Sequence, residues 1–247
     1  MKLVRFGGNA LMENGSLIRS NNLSDNTWEE IAQQIANGTA PSKWIGQTKT
    51  VQTSRGEKTF MCVDNTYGRY QKADGTYTTL TFLYIGTFND LFGAISGRMA
   101  DSSKLYNESN QGITCASYLR NYVTDTSLKK VLQKTNCKYI NKDSDGYLDY
   151  TNMLDFESEF FTPSVAEIRG GGADTFDQET KSYLTGNVLN RYTYFANMLY
   201  SGSGYAMWTR TIANYLLNAW TSISAIGNPS DILGNSSLSG FMIAFAL

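Results

Sequence analysis

Apolar and polar positions along this chain fall into two periods, and the changes between them mark out its elements. Trp28, Ile31 and Ile35 recur at helical spacing, the signature of one buried helix face. Thr27 precedes them and Glu30 stands three residues on, the spacing of a capping box, and Gly38 supplies a C-terminal stop. The spacing predicts a short amphipathic helix. Beyond Pro41 and Trp44-Ile45-Gly46 the period shortens to two. Thr48–Thr53 alternates, Arg55-Gly56-Glu57 turns the chain, and Lys58–Val63 returns it, which predicts a β-hairpin. Tyr77 to Phe88, rich in β-branched and aromatic residues, adds a further strand or hairpin arm. Helical spacing resumes at Ser117–Val123 (Leu119, Tyr122, Val123) and at Ser127–Lys134 (Leu128, Val131, Leu132). Phe160–Ile168 is a small apolar element running into the loop Arg169-Gly170-Gly171-Gly172. Strands, then two helices, then strands again read as an α+β fold.

The end of the chain is organised differently. An aromatic and arginine strand, Tyr205-Ala206-Met207-Trp208-Thr209-Arg210, opens it, and the most apolar strand, Gly240–Leu247, closes it. Between them Thr211–Ser239 is rich in Asn, Ser, Tyr and Trp, with Asp231 as the only charge. Two core strands framing an uncharged polar and aromatic segment describe a scaffold that presents a binding face. At the other end, residues 1–24 are rich in Gly, Asn and Ser with few apolar side chains. They read as an extended arm that orders against a neighbour, or as a strand added to their own domain. The expected organisation is an arm over 1–24 and one domain over 25–247.

Composition removes several classes of function. The 247 residues are 41% hydrophobic and 17% charged, enough apolar material for a core. A net charge of −1 gives no electrostatic footprint for nucleic acid. No apolar run is long enough to span a bilayer, and Met1–Gly8 lacks the apolar region of a signal peptide. Synthesis in a cytoplasm without export is therefore expected. Cys62, Cys115 and Cys137 are widely spaced and sit in apolar contexts, which reads as buried free thiols. The chain has no histidine, so Ser–His or Cys–His nucleophile activation and most zinc sites are excluded.

The order of these motifs resembles a C-type-lectin-like family of unassigned function found in phage, prophage and gut-bacterial proteins. The resemblance runs over roughly residues 28–247. It is carried by Trp28-Glu29-Glu30-Ile31-Ala32, Gly38-Thr39-Ala40-Pro41, Trp44-Ile45-Gly46-Gln47, Ser117-Tyr118-Leu119-Arg120, Phe161–Gly170, Trp208-Thr209-Arg210 and Gly240–Phe245. Met242-Ile243 stands where relatives usually carry Arg or Val followed by Pro, and Thr211 stands where Ser is common. The resemblance implies a mixed fold in which the first and last strands pair, bringing Lys49–Thr53 beside Phe241–Leu247. It makes Trp208, Arg210, Phe241 and Phe245 scaffold; Trp208 reads as buried with Arg210 serving loop carbonyls, a ligand-contacting Arg210 being the alternative. It also implies a virion component for host attachment, joined to other virion proteins and forming a homo-oligomer, a trimer by analogy.

The candidate ligand set is Asn214, Tyr215, Asn218, Trp220, Asn228, Asp231 and Asn235. Aromatic area beside adaptable amides suits a host-surface glycan or protein; the alternative is a polar β-meander with Leu216 and Trp220 in the core. Asn141, Asp143, Asp145 and Asp149 fall at calcium-loop positions with Gly146 between them, but Asn152 stands where a bidentate Glu is required. A solvated Asp-Gly turn is expected there, calcium being the alternative and no other cofactor being implied. Asp155, Glu157 and Glu159 alternate and would share one strand face. Paired carboxylates can cleave glycosides, yet no second acidic cluster converges on them, and a solvated edge is expected. The fold is also similar to that of formylglycine-generating oxidases, whose close cysteine pair has no counterpart here. The expectation is a non-enzymatic host-attachment protein, with a purely structural tail, baseplate or capsid subunit as the alternative.

Overall fold

The computed structural model describes residues 4–6, 9–11, 17–18, 20–87, 90–91, 105–145, 148–169, 207–212, 219–223, 229–233 and 240–247. The architecture is α+β. Helix α1, Trp28–Ala36, forms as its sequence predicts. Thr27 Oγ1 accepts from Glu30 N, and the Glu30 carboxylate accepts from Thr27 N at 2.7 Å. At the other end Gly38 takes φ +64, so that Gly38 N reaches Ile35 O and Thr39 N reaches Gln34 O. That is a Schellman stop, which favours glycine because a Cβ strains this conformation.

Strands β1 (Val4–Phe6), β2 (Asn9–Leu11) and β3 (Leu17–Ile18) pair with one another in an antiparallel meander. Leu23, just beyond them, is fully buried, and its N–H donates to Gln47 Oε1 at 2.7 Å. The described strands of the 1–24 segment thus pair with one another, and Leu23 belongs to the domain core.

The hairpin forms as β4 (Thr48–Thr53) and β5 (Gly56–Asp64), with Gly56 at φ +82 in the turn. The next long strand is β7 (Thr81–Thr87), and the chain closes through β10 (Met207–Ile212), β11 (Ala219–Ile223), β12 (Pro229–Leu233) and β13 (Gly240–Ala246). These make one sheet in the order β12-β11-β10-β13-β7-β5-β4. All neighbours are antiparallel except β10 and β13.

The expected pairing of Lys49–Thr53 with Phe241–Leu247 does not occur. The two strands share a sheet, but β7 and β5 lie between them. The physical reason is burial. Met242, Ile243, Ala244, Phe245 and Ala246 are buried on both faces, which only a central strand allows. β4 alternates exposed and buried residues and carries Lys49, as an edge strand should. β13 instead pairs over its whole length with β7, from Gly240↔Thr87 to Ala246↔Thr81.

Phe245 is the hub of the core. Its ring lies 5.1 Å from those of Phe60 and Phe82, 5.3 Å from Phe160 and 5.5 Å from Trp28 of α1. Each such pair contributes about 0.5–1.5 kcal/mol beyond its buried area. The three cysteines are free and buried, and burial pushes each thiol up to about 12.

Helix α2, Asn110–Asn121, begins well before the expected Ser117, because Ser109 Oγ accepts from Gly112 N at 3.0 Å and caps it. Helix α3, Thr126–Val131, is capped by Asp125 and stops before Lys134, since the chain then enters β8 (Thr135–Lys142). Strand β8 pairs with β9 (Leu148–Ser158) and with β6 (Gln71–Lys72) in a second sheet, ordered β6-β8-β9.

Gly112 packs against the backbone before α2. A Cβ there would lie 2.0 Å from Tyr106 O. Gly112→Ala should therefore destabilise the protein by about 3 kcal/mol, the upper range for overpacking against atoms that cannot rotate away. Urea unfolding measures it, and an unchanged midpoint would contradict this packing.

Candidate functional site

The densest polar constellation among the described residues is buried, and Arg210 is its centre. Trp208 and Arg210 lie two apart on β10 and share a face; Trp208 is fully buried and Arg210 is 1% exposed. Phe161-Thr162-Pro163-Ser164 leads into helix α4, Val165–Arg169. Ser164 Oγ accepts from Glu167 N at 3.2 Å, and Ser164 N donates to Glu167 Oε2 at 2.8 Å, a reciprocal cap. The same carboxylate receives the guanidinium in a fork: Arg210 Nη1 to Glu167 Oε2 at 2.7 Å and Nη2 to Oε1 at 2.5 Å. Arg210 Nη1 also donates to Thr162 O at 2.8 Å, and Nε to Lys138 O at 2.9 Å. One side chain therefore joins β10, the turn before α4 and β8 of the second sheet.

Both side chains of the pair have no solvent exposure. Burial alone would push the Glu167 carboxyl up. The adjacent Arg210 charge and the hydrogen bonds from Arg210 and Ser164 outweigh it and hold the group below the usual carboxylate range. A second buried pair stands nearby: Arg69 Nε donates to Asp64 Oδ2 at 2.7 Å, and Asp64 also accepts from Thr66 N and Oγ1 at 3.1 Å. Arg69 adds to the field on Glu167. These charges are consumed by one another and by backbone, which is structural chemistry.

Glu167 was legible only as part of a motif, with no role. Two signals pointed to it: the Ser164-x-x-Glu167 spacing of a capping box, and a lone acid in the apolar run Phe160–Ile168, matched by a lone Arg in the strand at 207–212.

Of the candidate ligand residues, Trp220 and Asp231 fall on strands. Trp220 pairs with Ile232 and Thr221 with Asp231, so the two candidates occupy neighbouring rungs of β11 and β12. Asn214, Tyr215, Asn218, Asn228 and Asn235 lie outside the described residues. β12 ends the sheet, and Pro229 and Asp231 are residues of the kind that deter an added strand. Phe241 of the scaffold set pairs with Gly86 and with Trp208.

The calcium-loop positions sit on a hairpin. Asn141 and Asp149 are register partners across β8 and β9, and Asp143 and Asp145 are exposed at its tip, where Asp145 N donates to Asp143 Oδ1 at 3.0 Å. Strands flank the loop where a helix–loop–helix calcium site needs helices. Among the described residues, no group of three or more His, Cys, Asp or Glu is placed to hold a metal ion. Asp155 and Glu157 are exposed on one face of β9, and Glu159 follows the strand's end. Asp155 lies 2.5 Å from Lys138 Nζ, whose hydrogen bond lowers its pKa; an exposed pair of this kind adds little stability.

Removing one member of the Arg210–Glu167 pair strands the other in the core. Arg210→Leu or Glu167→Gln should each cost about 3–5 kcal/mol. The depressed Glu167 pKa also sets a pH dependence. Its stabilisation is fully present above the unfolded carboxylate value, about 4.3, and is lost as pH falls through the lower folded value. Urea midpoints of the wild type should fall in that acid range, and Glu167→Gln should flatten the fall.

Comparison with known protein families, curated proteins and solved structures gave no match for this chain.

Proposed function

We propose that this chain is a non-enzymatic recognition component of a phage particle, a C-type-lectin-like domain that contacts a host-surface glycan or protein. The observation that carries this is the way Arg210 is spent. The strongest polar group in the core is engaged by Glu167, Thr162 and Lys138 through four hydrogen bonds, and the strand bearing it leads directly into the segment Thr211–Ser239, whose only charge is Asp231. A stiff base followed by Asn, Ser, Tyr and Trp is the arrangement of a contact surface, where rigid aromatics and adaptable amides do the binding. No helix among the described residues is long and apolar enough to cross a membrane. Residues 1–24 are the proposed attachment to other virion proteins, with 1–19 the part that stops short of buried Leu23, and several copies on one particle would add avidity to weak single contacts.

Binding of the fluorescently labelled chain to host bacteria is the direct test. Saturable decoration of cells is expected, and replacing 213–218 and 234–239 by Gly-Ser sequence should abolish it while leaving the unfolding midpoint in place. Equal binding by the replaced chain would overturn the assignment of the surface. Deleting 1–19, short of buried Leu23, should leave a folded domain that no longer enters particles; unchanged incorporation would contradict the attachment role.

A further inference from the structure

The second sheet carries a surface that the sequence pattern did not single out. Its register sets four residues in one row: Tyr77 opposite Gln71, Gln71 opposite Asn136, and Asn136 opposite Glu157. Directly opposed residues share a face, and three strand spacings make the row about 14 Å long. The alternate positions, Thr135, Cys137, Phe156 and Ser158, are buried in the core, so the row lies on the outer face. Gln71, Asn136 and Glu157, with Lys72, Ala73, Gly75 and Lys134, line a groove of about 200 Å³.

Two features of this groove point to a ligand. The first is aromatic. Tyr77 is 44% exposed and Tyr67 is 72% exposed, and their rings pack edge to face at 6.1 Å at the end of the row. Large aromatic side chains are usually covered, and an exposed pair beside a polar groove offers an apolar ring face with a second ring set against its edge. The second is polar. The Asn136 side chain bonds to Asp155, while its own Oδ1 is buried without a hydrogen-bond partner among the described residues. Such an acceptor calls for a donor.

The platform is held rigidly. Tyr70 packs against Phe161 with ring centroids 4.7 Å apart, Arg69 is tied to Asp64, and Gly75, at φ +85, closes a turn in which Asp74 Oδ1 accepts from Thr76 N at 2.9 Å.

We propose that this face is a carbohydrate subsite for an uncharged saccharide. The C–H face of a pyranose would lie on the Tyr77 ring, with Tyr67 flanking it, and its hydroxyls would donate to Asn136 Oδ1 and Glu157 and accept from Gln71. Charges on this face offset one another: Lys72 and Lys134 line the groove with Glu157, Asp74 lies beside Lys72, and Lys138 pairs with Asp155, a balance that suits an uncharged saccharide. The subsite builds on the recognition role proposed above and is separate from Thr211–Ser239.

The experiment uses the full chain on an array of neutral hexose and N-acetylhexosamine oligosaccharides and their uronic-acid counterparts, followed by calorimetric titration of the best binder. A neutral saccharide should bind, and Tyr77→Ala and Asn136→Ala should each weaken it roughly tenfold or more. Tyr77→Ala should leave the unfolding midpoint unchanged, since its ring is exposed. The proposal is overturned if no saccharide binds, if only acidic ones bind, or if both variants bind like the wild type. If these variants have no effect but the Gly-Ser replacements abolish binding, recognition stands and its site is the 211–239 segment. Binding to host cells without binding to any saccharide would leave recognition standing and remove the carbohydrate subsite. Binding to neither would remove both.

Discussion

A charge that cannot be left unpaired holds this structure together. Arg210 lies in the core, and removing a guanidinium from water is costly unless every donor finds an acceptor. The structure supplies four acceptor contacts by bringing two distant parts of the chain to β10: the turn and start of α4, with Thr162 and Glu167, and Lys138 in β8. The apolar core would tolerate several arrangements of the same strands, since hydrophobic contact is not directional. A bidentate fork with two further carbonyl contacts has one geometry. It sets the position of β10 against the second sheet, and through β10 the origin of the segment that follows.

Local chemistry was legible in the sequence wherever it was complete within a few residues. The Thr27–Glu30 box, the Gly38 stop and the Gly56 turn each contain all the groups that define them, and the corresponding elements stand where the spacing puts them. Helix α2 was harder to read. Gly112 in its first turn looks like loop sequence, and the reason for a glycine there, the nearby Tyr106 carbonyl, is a tertiary fact. Of the β8–β9 hairpin only the Asp-Gly turn was legible; its strands, in which Asn136 and Lys138 alternate with buried Thr135, Cys137 and Tyr139, were not.

Strand order was the larger departure. The apolar run Met242–Phe245 shows that the last strand is buried on both faces, but not which strands flank it. Pairing partners are long-range properties, and the resemblance pointed to β4 where β13 pairs with β7 and β10. For the sites, the residues of Thr211–Ser239 were legible by composition alone. The Tyr77–Gln71–Asn136–Glu157 row was not, because its members come from separate parts of the chain and become neighbours only through register. The proposed function rests on which groups the fold consumes and which it leaves facing outward: the buried ions and thiols are consumed, while Tyr67 and Tyr77 are exposed.

The joint at Arg210 is tested most directly by native-state hydrogen exchange on the intact chain, comparing amides of Trp208–Thr211 with those of Met242–Ala246. If the buried fork makes β10 part of one cooperative unit with the central strand, both sets exchange only through global unfolding, with the same free energy and the same urea dependence. Exchange of Trp208–Thr211 through a separate opening of much lower free energy would contradict it, because the segment proposed to meet the host would then rest on a base that opens by itself.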